Sequence, residues 1–243
     1  WVATPGMNGL VKAWAAPLLE DGNVQLQTRV TQIMADPLMK NGWQLQTESE
    51  DGGQHIYAGF DKIILAIPPA QAAALLNASS LSALASPLKE VRVDPCWTLM
   101  LAYPQAVQPG LITLGPQWNA ARSTHHRIAW MARESSKPGR ERIERWTVQA
   151  SAPWSAEHVN DAPERITGKL IKAFAEITGI RATPAHAEVH RWLYAKTAQP
   201  LGQSHLWFKD QGIGLCGDWC LGHRVEDAFV SGLELALSVL KGR

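Results

Sequence analysis

A Gly-Asp turn near the carboxyl end constrains this chain more than any other sequence feature. The apolar segment Ile213 to Cys216 predicts a short strand, and it runs directly into Gly217-Asp218. A loop follows, and an amphipathic helix is predicted from Val225 to Leu240. This order brings the free N–H groups of a helix N-terminus near the turn, where they favour an anionic or polar ligand. Gly217 would let the backbone approach that ligand, and Asp218 could accept hydrogen bonds from a polyol.

The segment from Gly212 to Gly232 resembles the carboxyl-terminal FAD-binding motif of the flavin-containing amine oxidase superfamily, most closely its bacterial renalase-like branch. Other segments with counterparts in that branch are Pro5 to Leu10, Phe60 to Pro68, Pro95-Cys96-Trp97 and His190 to Ala195. The resemblance covers nearly the whole chain. It implies an α/β fold with α+β character, the two-domain FAD/NAD(P)-binding oxidoreductase fold.

The resemblance also implies which residues meet the cofactor, expected to be non-covalent FAD. In that family the Asp lies near the ribityl and pyrophosphate groups, the helix start faces the flavin ring, and backbone groups at a strand edge contact adenine. The matching residues here are Val30 for adenine, and Gly217, Asp218, Arg224, Val225, Glu226 and Ala228. Other interpretations exist: Asp218 could cap its own turn, Glu226 favours a helix start in any protein, and Val30 could be an ordinary strand residue.

Three aromatic or imidazole side chains alternate along a predicted strand and therefore point to one face. They are His190, Trp192 and Tyr194. In the resembled family this strand borders the cavity over the flavin, where aromatic rings can hold a planar or cationic substrate. Packing inside a sheet core is the alternative interpretation.

The amino-terminal dinucleotide-binding βαβ unit of such enzymes, with its Gly-x-Gly-x-x-Gly turn, is expected to be missing from this chain, which begins at Trp1. Gly212, Gly214 and Gly217 match the spacing of that fingerprint. They precede and occupy a strand, whereas the fingerprint follows one, so we do not interpret them as the pyrophosphate turn.

By resemblance, the parent protein is an FAD-dependent oxidoreductase that moves a hydride from a C–H next to nitrogen to flavin N5 and then reduces oxygen. The implied substrate is a dihydro isomer of NAD(P) or an amine, and no catalytic protein residue is named. The alternative is a non-catalytic truncated fragment, or a module that binds a partner or itself through exposed strand edges and cannot bind FAD alone.

The remaining pattern predicts two domains. Residues 1–90 and 201–243 are expected to form a discontinuous FAD-binding domain. Its first elements are predicted to be a helix from Asn8 to Leu19 with an apolar side and Asn8 as N-cap, and an antiparallel meander from Val24 to Tyr57 with tight turns at Lys40-Asn41-Gly42 and Asp51-Gly52-Gly53. A parallel strand from Lys62 to Ile67, buried on both faces, and a helix from Ala70 to Leu76 are predicted to follow. Residues 91–200 are expected to form an inserted substrate-binding domain with long strands and a helix from Ala162 to Thr178.

Composition excludes several classes of function. A net charge of +1 gives no field that would attract nucleic acid or an anionic membrane, and no segment has the ~20 apolar residues of a membrane span. Three cysteines fit no disulfide framework and favour the cytoplasm. Cys216, Cys220 and His223 lack a fourth metal ligand nearby, and Ser231 is not on a nucleophile elbow, so neither a metal site nor a serine hydrolase is predicted.

Overall fold

The computed structural model describes residues 2–4, 6–104, 115–116, 118–140 and 143–241, so Pro5, the first residue of the segment Pro5 to Leu10, lies outside the described residues. The helices in chain order are α1 Gly9–Glu20, α2 Pro69–Ala78, α3 Ala152–Glu157, α4 Pro163–Thr178 and α5 Val225–Lys241. The strands are β1 Thr28–Ala35, β2 Trp43–Ser49, β3 Gln54–Phe60, β4 Ile63–Leu65, β5 Arg92–Tyr103, β6 Ala120–Arg122, β7 Ile128–Arg133, β8 Glu144–Ala150, β9 His186–Gln199, β10 Leu206–Phe208 and β11 Ile213–Leu215. None of the described helices is long and apolar enough to cross a bilayer.

The chain divides into two compact units, each built from two separate stretches. One unit contains Trp1–Asn23 and Asp94–Ala195, and the other contains Val24–Val93 and Lys196–Arg243. The predicted boundary between residues 90 and 91 lies three residues before the observed one between Val93 and Asp94. The predicted boundary between residues 200 and 201 lies five residues after the observed one between Ala195 and Lys196. Residues 1–23 differ, because they belong with the unit that contains Asp94–Ala195. Which unit binds cofactor and which binds substrate stays a prediction.

The unit that begins at Val24 contains the predicted meander, in which β1, β2 and β3 pair in antiparallel order. Its turns depend on residues that accept positive φ angles: Asn41 has φ 61° and Gly52 has φ 82°. The tight turns predicted at these two positions are confirmed.

A second, three-stranded sheet in this unit has the order β10-β11-β4, and its β11–β4 pair is parallel, with Ile213 opposite Ile63. Ile63, Leu65, Ile213 and Leu215 are buried in the core, whereas Ile64 is 44% exposed. The expectation that this run is buried on both faces is therefore wrong for Ile64. Among the described residues β4 is an outer strand with β11 as its neighbour on one side, and the side chain of Ile64 points to the face of the sheet opposite to Ile63 and Leu65.

The other unit contains a five-stranded sheet of order β6-β7-β8-β5-β9 with α4 packed on it. Alternate residues of β5, such as Leu99 and Leu101, face the same core as Ile166 and Leu170 of α4. Helix α4 ends at Gly179, whose φ of 77° terminates the helix in the left-handed region. The sheet-plus-helix layer predicted from sequence is confirmed, and with it the α/β fold class.

Helix α1 was predicted from its apolar side, yet none of its residues is buried. Leu10, Val11 and Leu18 are each at least half exposed. Asn8 occupies the N-cap position but its side chain makes no capping hydrogen bond. Strand β6, helix α3 and the 3-10 helix Ser82–Glu90 were not predicted.

Candidate functional site

The candidate site lies where the two parallel strands β4 and β11 end, at the same edge of the sheet. Beyond β4 the chain reaches Ile67, and beyond β11 it turns at Gly217-Asp218. The indole Nε1 of Trp219 donates a hydrogen bond of 3.1 Å to the carbonyl oxygen of Ile67. Trp219 is 2% exposed, so this bond holds the two strand ends together inside the core. Ligands of open α/β sheets collect at this carboxyl edge.

Gly217 is held on two sides. Its N–H donates to the hydroxyl of the fully buried Ser231 on α5, at 2.9 Å. A Cβ atom at this position would overlap the indole of Trp219. The glycine predicted for ligand approach is therefore also required by Trp219, because the backbone and the indole leave no room for a side chain.

Asp218 follows as the first residue of a 3-10 helix, Asp218–Cys220. Its side chain is half-buried, and burial raises the pKa of Asp218 more than the opposing hydrogen bond from the N–H of Trp219 lowers it. The carbonyl oxygen of Asp218 accepts from the N–H groups of Leu221 and Gly222. A half-buried carboxyl group with a perturbed pKa at a strand end is typical of a ligand-binding position.

Asp227 organises the loop between this turn and α5, a role that the sequence analysis missed. Its Oδ2 accepts hydrogen bonds from the backbone N–H groups of His223 at 3.0 Å and Arg224 at 2.9 Å. The Arg224 guanidinium binds the same carboxylate, with Nη2 3.2 Å from Oδ1. A Cβ on Gly222 would lie 2.5 Å from Oδ2, so the loop passes close to the carboxylate only because residue 222 is glycine. The sequence signal was an aspartate in the first helical turn, which is common in helices of every function.

The predicted cofactor residues after Asp218 therefore lie on one loop and the first turn of α5. Arg224 is paired with Asp227, while 69% of its side chain remains exposed. Val225, Glu226 and Ala228 are exposed as well. Their contact with a cofactor stays a prediction.

Replacing Asp227 by asparagine should make the unfolding of this unit less dependent on acid pH. The hydrogen bonds from the Arg224 backbone and side chain lower the pKa of Asp227 below its ordinary value of 3.8. A lowered folded-state pKa means that the carboxylate stabilises the fold above pH 3.8, and that this contribution disappears as the pH falls through the folded-state value.

Melting temperatures of wild type and Asp227→Asn should differ most at neutral pH and converge in acid. Asp210→Asn, on an exposed turn, is the matched control and should follow wild type throughout. A constant difference across the pH range would contradict this role.

A cavity of about 870 Å³ extends along the same unit and is lined by β1, β4, α2 and the segment that follows β4. Val30 and Ile67 both line it, so the predicted adenine residue and the Trp219-bonded strand end share one cavity. Its volume falls in the range of small-molecule and cofactor sites.

Strand β1 is irregular where it borders this cavity. The register with β2 shifts between Val30 and Gln32, so Thr31 is an extra residue of the kind found in β-bulges. The Oγ1 of Thr31 donates to the carbonyl oxygen of Gln46 at 3.2 Å. Bulges interrupt regular pairing and re-aim nearby backbone groups, which fits a strand that contacts a ligand through its backbone.

The predicted substrate residues lie on β9 in the other unit. The rings of His190 and Trp192 are 4.2 Å apart and tilted by 58°, as expected for alternate residues on one face. Trp192 is 52% exposed and Tyr194 is 40% exposed, so sheet core is the wrong interpretation for this face. The neighbouring Arg191 instead donates to the carbonyl of Val159 at 2.8 Å. The three rings are available to a ligand, and their role in substrate binding stays a prediction.

The cysteines of the site are buried thiols. Burial raises the pKa of Cys216, and it raises the pKa of Cys220 to about 11. Thiols of this kind are poor metal ligands, because the metal binds the thiolate. Within the described parts of the chain, no three His, Cys, Asp or Glu side chains come together as a metal site.

Comparison with solved structures identifies the fold. One match is the "putative protoporphyrinogen oxidase" of Exiguobacterium sp. 255-15, with a TM-score of 0.68 and 17% identity over 97% of this chain. Another is the cyclohexylamine oxidase of Brevibacterium oxydans IH-35A, with a TM-score of 0.66 and 14% identity, again over 97% of this chain. The fold is the one that these two oxidases share. This chain spans about half of their lengths, 51% and 53% respectively. No protein-family model matches the sequence.

Proposed function

We propose that this chain is part of an FAD-dependent oxidoreductase of the amine oxidase or renalase type, with FAD bound non-covalently. The observation that carries the proposal is the Gly217-Asp218 turn, which lies between the end of a parallel strand and the N-terminus of α5. The adjoining cavity of about 870 Å³ and the shared fold with two oxidases support it.

The described residues can contact the ribityl, pyrophosphate and adenine groups of FAD. The half-buried Asp218 carboxyl can accept hydrogen bonds from the hydroxyl groups of a ribityl chain. The positive end of the 17-residue helix α5 and the exposed Arg224 side chain favour nearby negative charge such as a pyrophosphate or a reduced ring. Backbone groups at the bulge beside Val30 can bind an adenine edge, above the apolar cavity wall formed by β4.

Bound flavin would supply the hydride acceptor, and the residues of this chain would hold it and its substrate in place. In the proposed reaction, a hydride leaves a substrate carbon that is bonded to nitrogen, and its two electrons are then passed to molecular oxygen. Trp219 and Ser231 act indirectly, since they fix the Gly217-Asp218 backbone through the 3.1 Å and 2.9 Å hydrogen bonds. No general base is assigned, because hydride removal from such a carbon does not require one.

The proposed substrate is a dihydro isomer of NAD(P) or an amine. The exposed rings of His190, Trp192 and Tyr194 offer flat apolar and cation-binding surfaces that would suit either a nicotinamide-derived ring or an ammonium group.

A second candidate is a non-catalytic module that binds a partner or itself. The outer position of β4 and the exposed Ile64 favour it, since a short apolar edge strand offers backbone groups and side chains to another chain. In this case the 870 Å³ cavity would be a docking groove instead of a cofactor site.

The test is FAD binding by the whole chain, followed by visible absorbance and by flavin release into the supernatant after denaturation. We expect wild type to bind added FAD and Asp218→Ala to bind it about 10- to 100-fold more weakly, since a lost hydrogen bond to a charged group costs about 1.5–3 kcal/mol. Asp210→Ala, on an exposed turn of the same unit, should bind FAD like wild type.

Two results would separate the candidates. A wild-type chain that stays colourless after incubation with FAD would rule out the oxidoreductase proposal for this polypeptide and favour the module. FAD binding that is equal in wild type and Asp218→Ala would retain the flavin but remove Asp218 from its site.

A further inference from the structure

The cavity of about 870 Å³ meets strand β1 along its edge. Four consecutive residues of β1, Thr28 to Thr31, line this cavity. Because side chains alternate between the two faces of a strand, four neighbours in a row border one cavity when it lies beside the edge of the strand. Strand β1 is an outer strand in the order β1-β2-β3, and no other described strand pairs with its free edge. Backbone N–H and C=O groups of this edge are therefore open to a ligand in the cavity.

The second half of the same edge is attached to helix α2. The N–H of Ile33 donates to the hydroxyl of Ser79 at 2.8 Å, and Nε2 of Gln32 donates to the carbonyl oxygen of Ala78 at 3.3 Å. These two hydrogen bonds fix the strand to the carboxyl end of the helix. The open part of the edge is thereby limited to Thr28 to Thr31.

The wall of the cavity away from β1 is mostly apolar. On α2, Gln71, Ala74 and Ala78 line the cavity at intervals of three and four residues, so they share one face of the helix. The two alanines leave space for a ligand, and Ile64 of β4 adds an apolar side chain that is 44% exposed. A cavity that combines an apolar wall with a hydrogen-bonding strand edge suits a flat ring with apolar faces and a polar rim, such as a purine.

Arg29 is the one charged residue among the described residues that line this cavity. Its side chain is exposed. The guanidinium makes no hydrogen bond or ion pair within the described parts of the chain, even though Glu48 lies opposite Arg29 in the β1–β2 register. A guanidinium group is planar and weakly hydrated, so it can stack on the face of an aromatic base.

We propose that Arg29 stacks on the adenine ring of the bound dinucleotide and thereby selects FAD over FMN. The assignment of Arg29 rests on the proposed function, in which the adenine edge meets the backbone beside Val30. FMN has no adenosine half and would leave Arg29 without a ligand. A phosphate would bind Arg29 through charge, and lysine can replace arginine as a point charge for phosphate, whereas stacking needs the planar group.

The experiment titrates the whole chain with FAD, FMN and adenosine diphosphate (ADP) in a calorimeter. Arg29→Met keeps an unbranched side chain and removes the planar cation, so FAD and ADP should bind about tenfold more weakly while FMN binding stays unchanged. Arg29→Lys keeps the charge and should behave like Arg29→Met. The matched control is Arg181→Met, since Arg181 is an exposed arginine of the other unit and should not affect any of the three ligands.

A variant of the opposite wall tests the position of the ring. Ala74 is exposed and lines the cavity, so Ala74→Phe fills the space with little effect on the core. This variant should lose at least tenfold in affinity for FAD and ADP and keep the melting temperature of wild type. ADP binding that is unchanged in Ala74→Phe would place the adenine elsewhere and overturn the assignment of Arg29.

The remaining outcomes separate Arg29 from the proposed function. FAD binding that is equal in wild type and Arg29→Met, or equal in wild type and Arg29→Lys, would overturn the stacking role and leave the flavin proposal standing. A chain that binds ADP through Arg29 but does not bind FAD would keep the adenine contact and overturn the proposed function. A wild type that binds neither ADP nor FAD would overturn both.

Discussion

Replacing Glu144 by alanine should lower the free energy of unfolding by about 3–5 kcal/mol. Glu144 is 3% exposed, and its two carboxylate oxygens accept hydrogen bonds from Arg133, at 2.7 Å from Nε and 2.8 Å from Nη2. Only 15% of the Arg133 side chain is exposed. Removing the carboxylate leaves a largely buried guanidinium without its partner, which costs more than the pair itself contributes. Urea denaturation followed by circular dichroism measures the loss.

Two controls separate this effect from a general loss of packing. The double variant Arg133→Met/Glu144→Leu removes both charges and should be much closer to wild type in stability. Glu176→Ala removes a carboxylate that is 49% exposed and paired with His125, and it should cost no more than about 1 kcal/mol. If Glu144→Ala lowered the free energy of unfolding no more than Glu176→Ala does, Arg133 would have to donate its hydrogen bonds to water or to another acceptor in the folded variant.

Replacing Trp219 by alanine should destabilise the unit that contains the candidate site by about 3–5 kcal/mol. The substitution opens a cavity in a core where Trp219 packs with Leu65 and Leu215, and it leaves the Ile67 carbonyl without its 3.1 Å hydrogen bond. A lost partner for a buried polar group alone costs about 1–3 kcal/mol. The Gly217-Asp218 turn should loosen as well, so FAD affinity should fall with stability.

Trp219→Phe is the informative companion variant, because it keeps one aromatic ring in the core and removes the indole N–H together with part of the packing volume. It should show an intermediate loss. Trp192→Ala, at a position 52% exposed, controls for tryptophan removal and should leave the melting temperature nearly unchanged. A Trp219→Phe variant as unstable as Trp219→Ala would contradict the expected intermediate loss, since the remaining aromatic ring would then contribute nothing to stability.

Short-range chemistry made much of the fold predictable. Asn41 and Gly52 signal the meander turns because few other residues tolerate positive φ, and the apolar runs Ile63–Leu65 and Ile213–Leu215 signal paired core strands. The helix α4 followed from Ile166, Leu170 and Phe174 at helical spacing. In each case the decisive signal lies within a few residues of the element.

Features set by distant contacts were not predictable from one sequence. Trp219 and Ile67 are 152 positions apart, so nothing near either residue announces their hydrogen bond. In the sequence, Asp227 is an ordinary acidic residue of a first helical turn. Its role depends on the close approach of Gly222 and on the hydrogen bond from the Arg224 N–H, which only the structure shows. The apolar spacing of α1 predicted the helix itself but not what lies against it, and none of its residues is buried among the described residues. At the candidate site, sequence correctly indicated the turn and the helix start, and missed the residues that hold them in place.

The interleaved order of the two units has a consequence for biosynthesis. The chain passes from one unit to the other at residues 23–24, 93–94 and 195–196. On a ribosome, the strands of the five-stranded sheet have all emerged once Gln199 has emerged, whereas Ile63 must wait for Ile213 before β4 can pair with β11. Until then, the apolar β4 is exposed to chaperones and to neighbouring nascent chains, since domains generally fold as units during synthesis. A nonsense mutation just before β11 would therefore leave β4 without the strand that pairs with it in this structure.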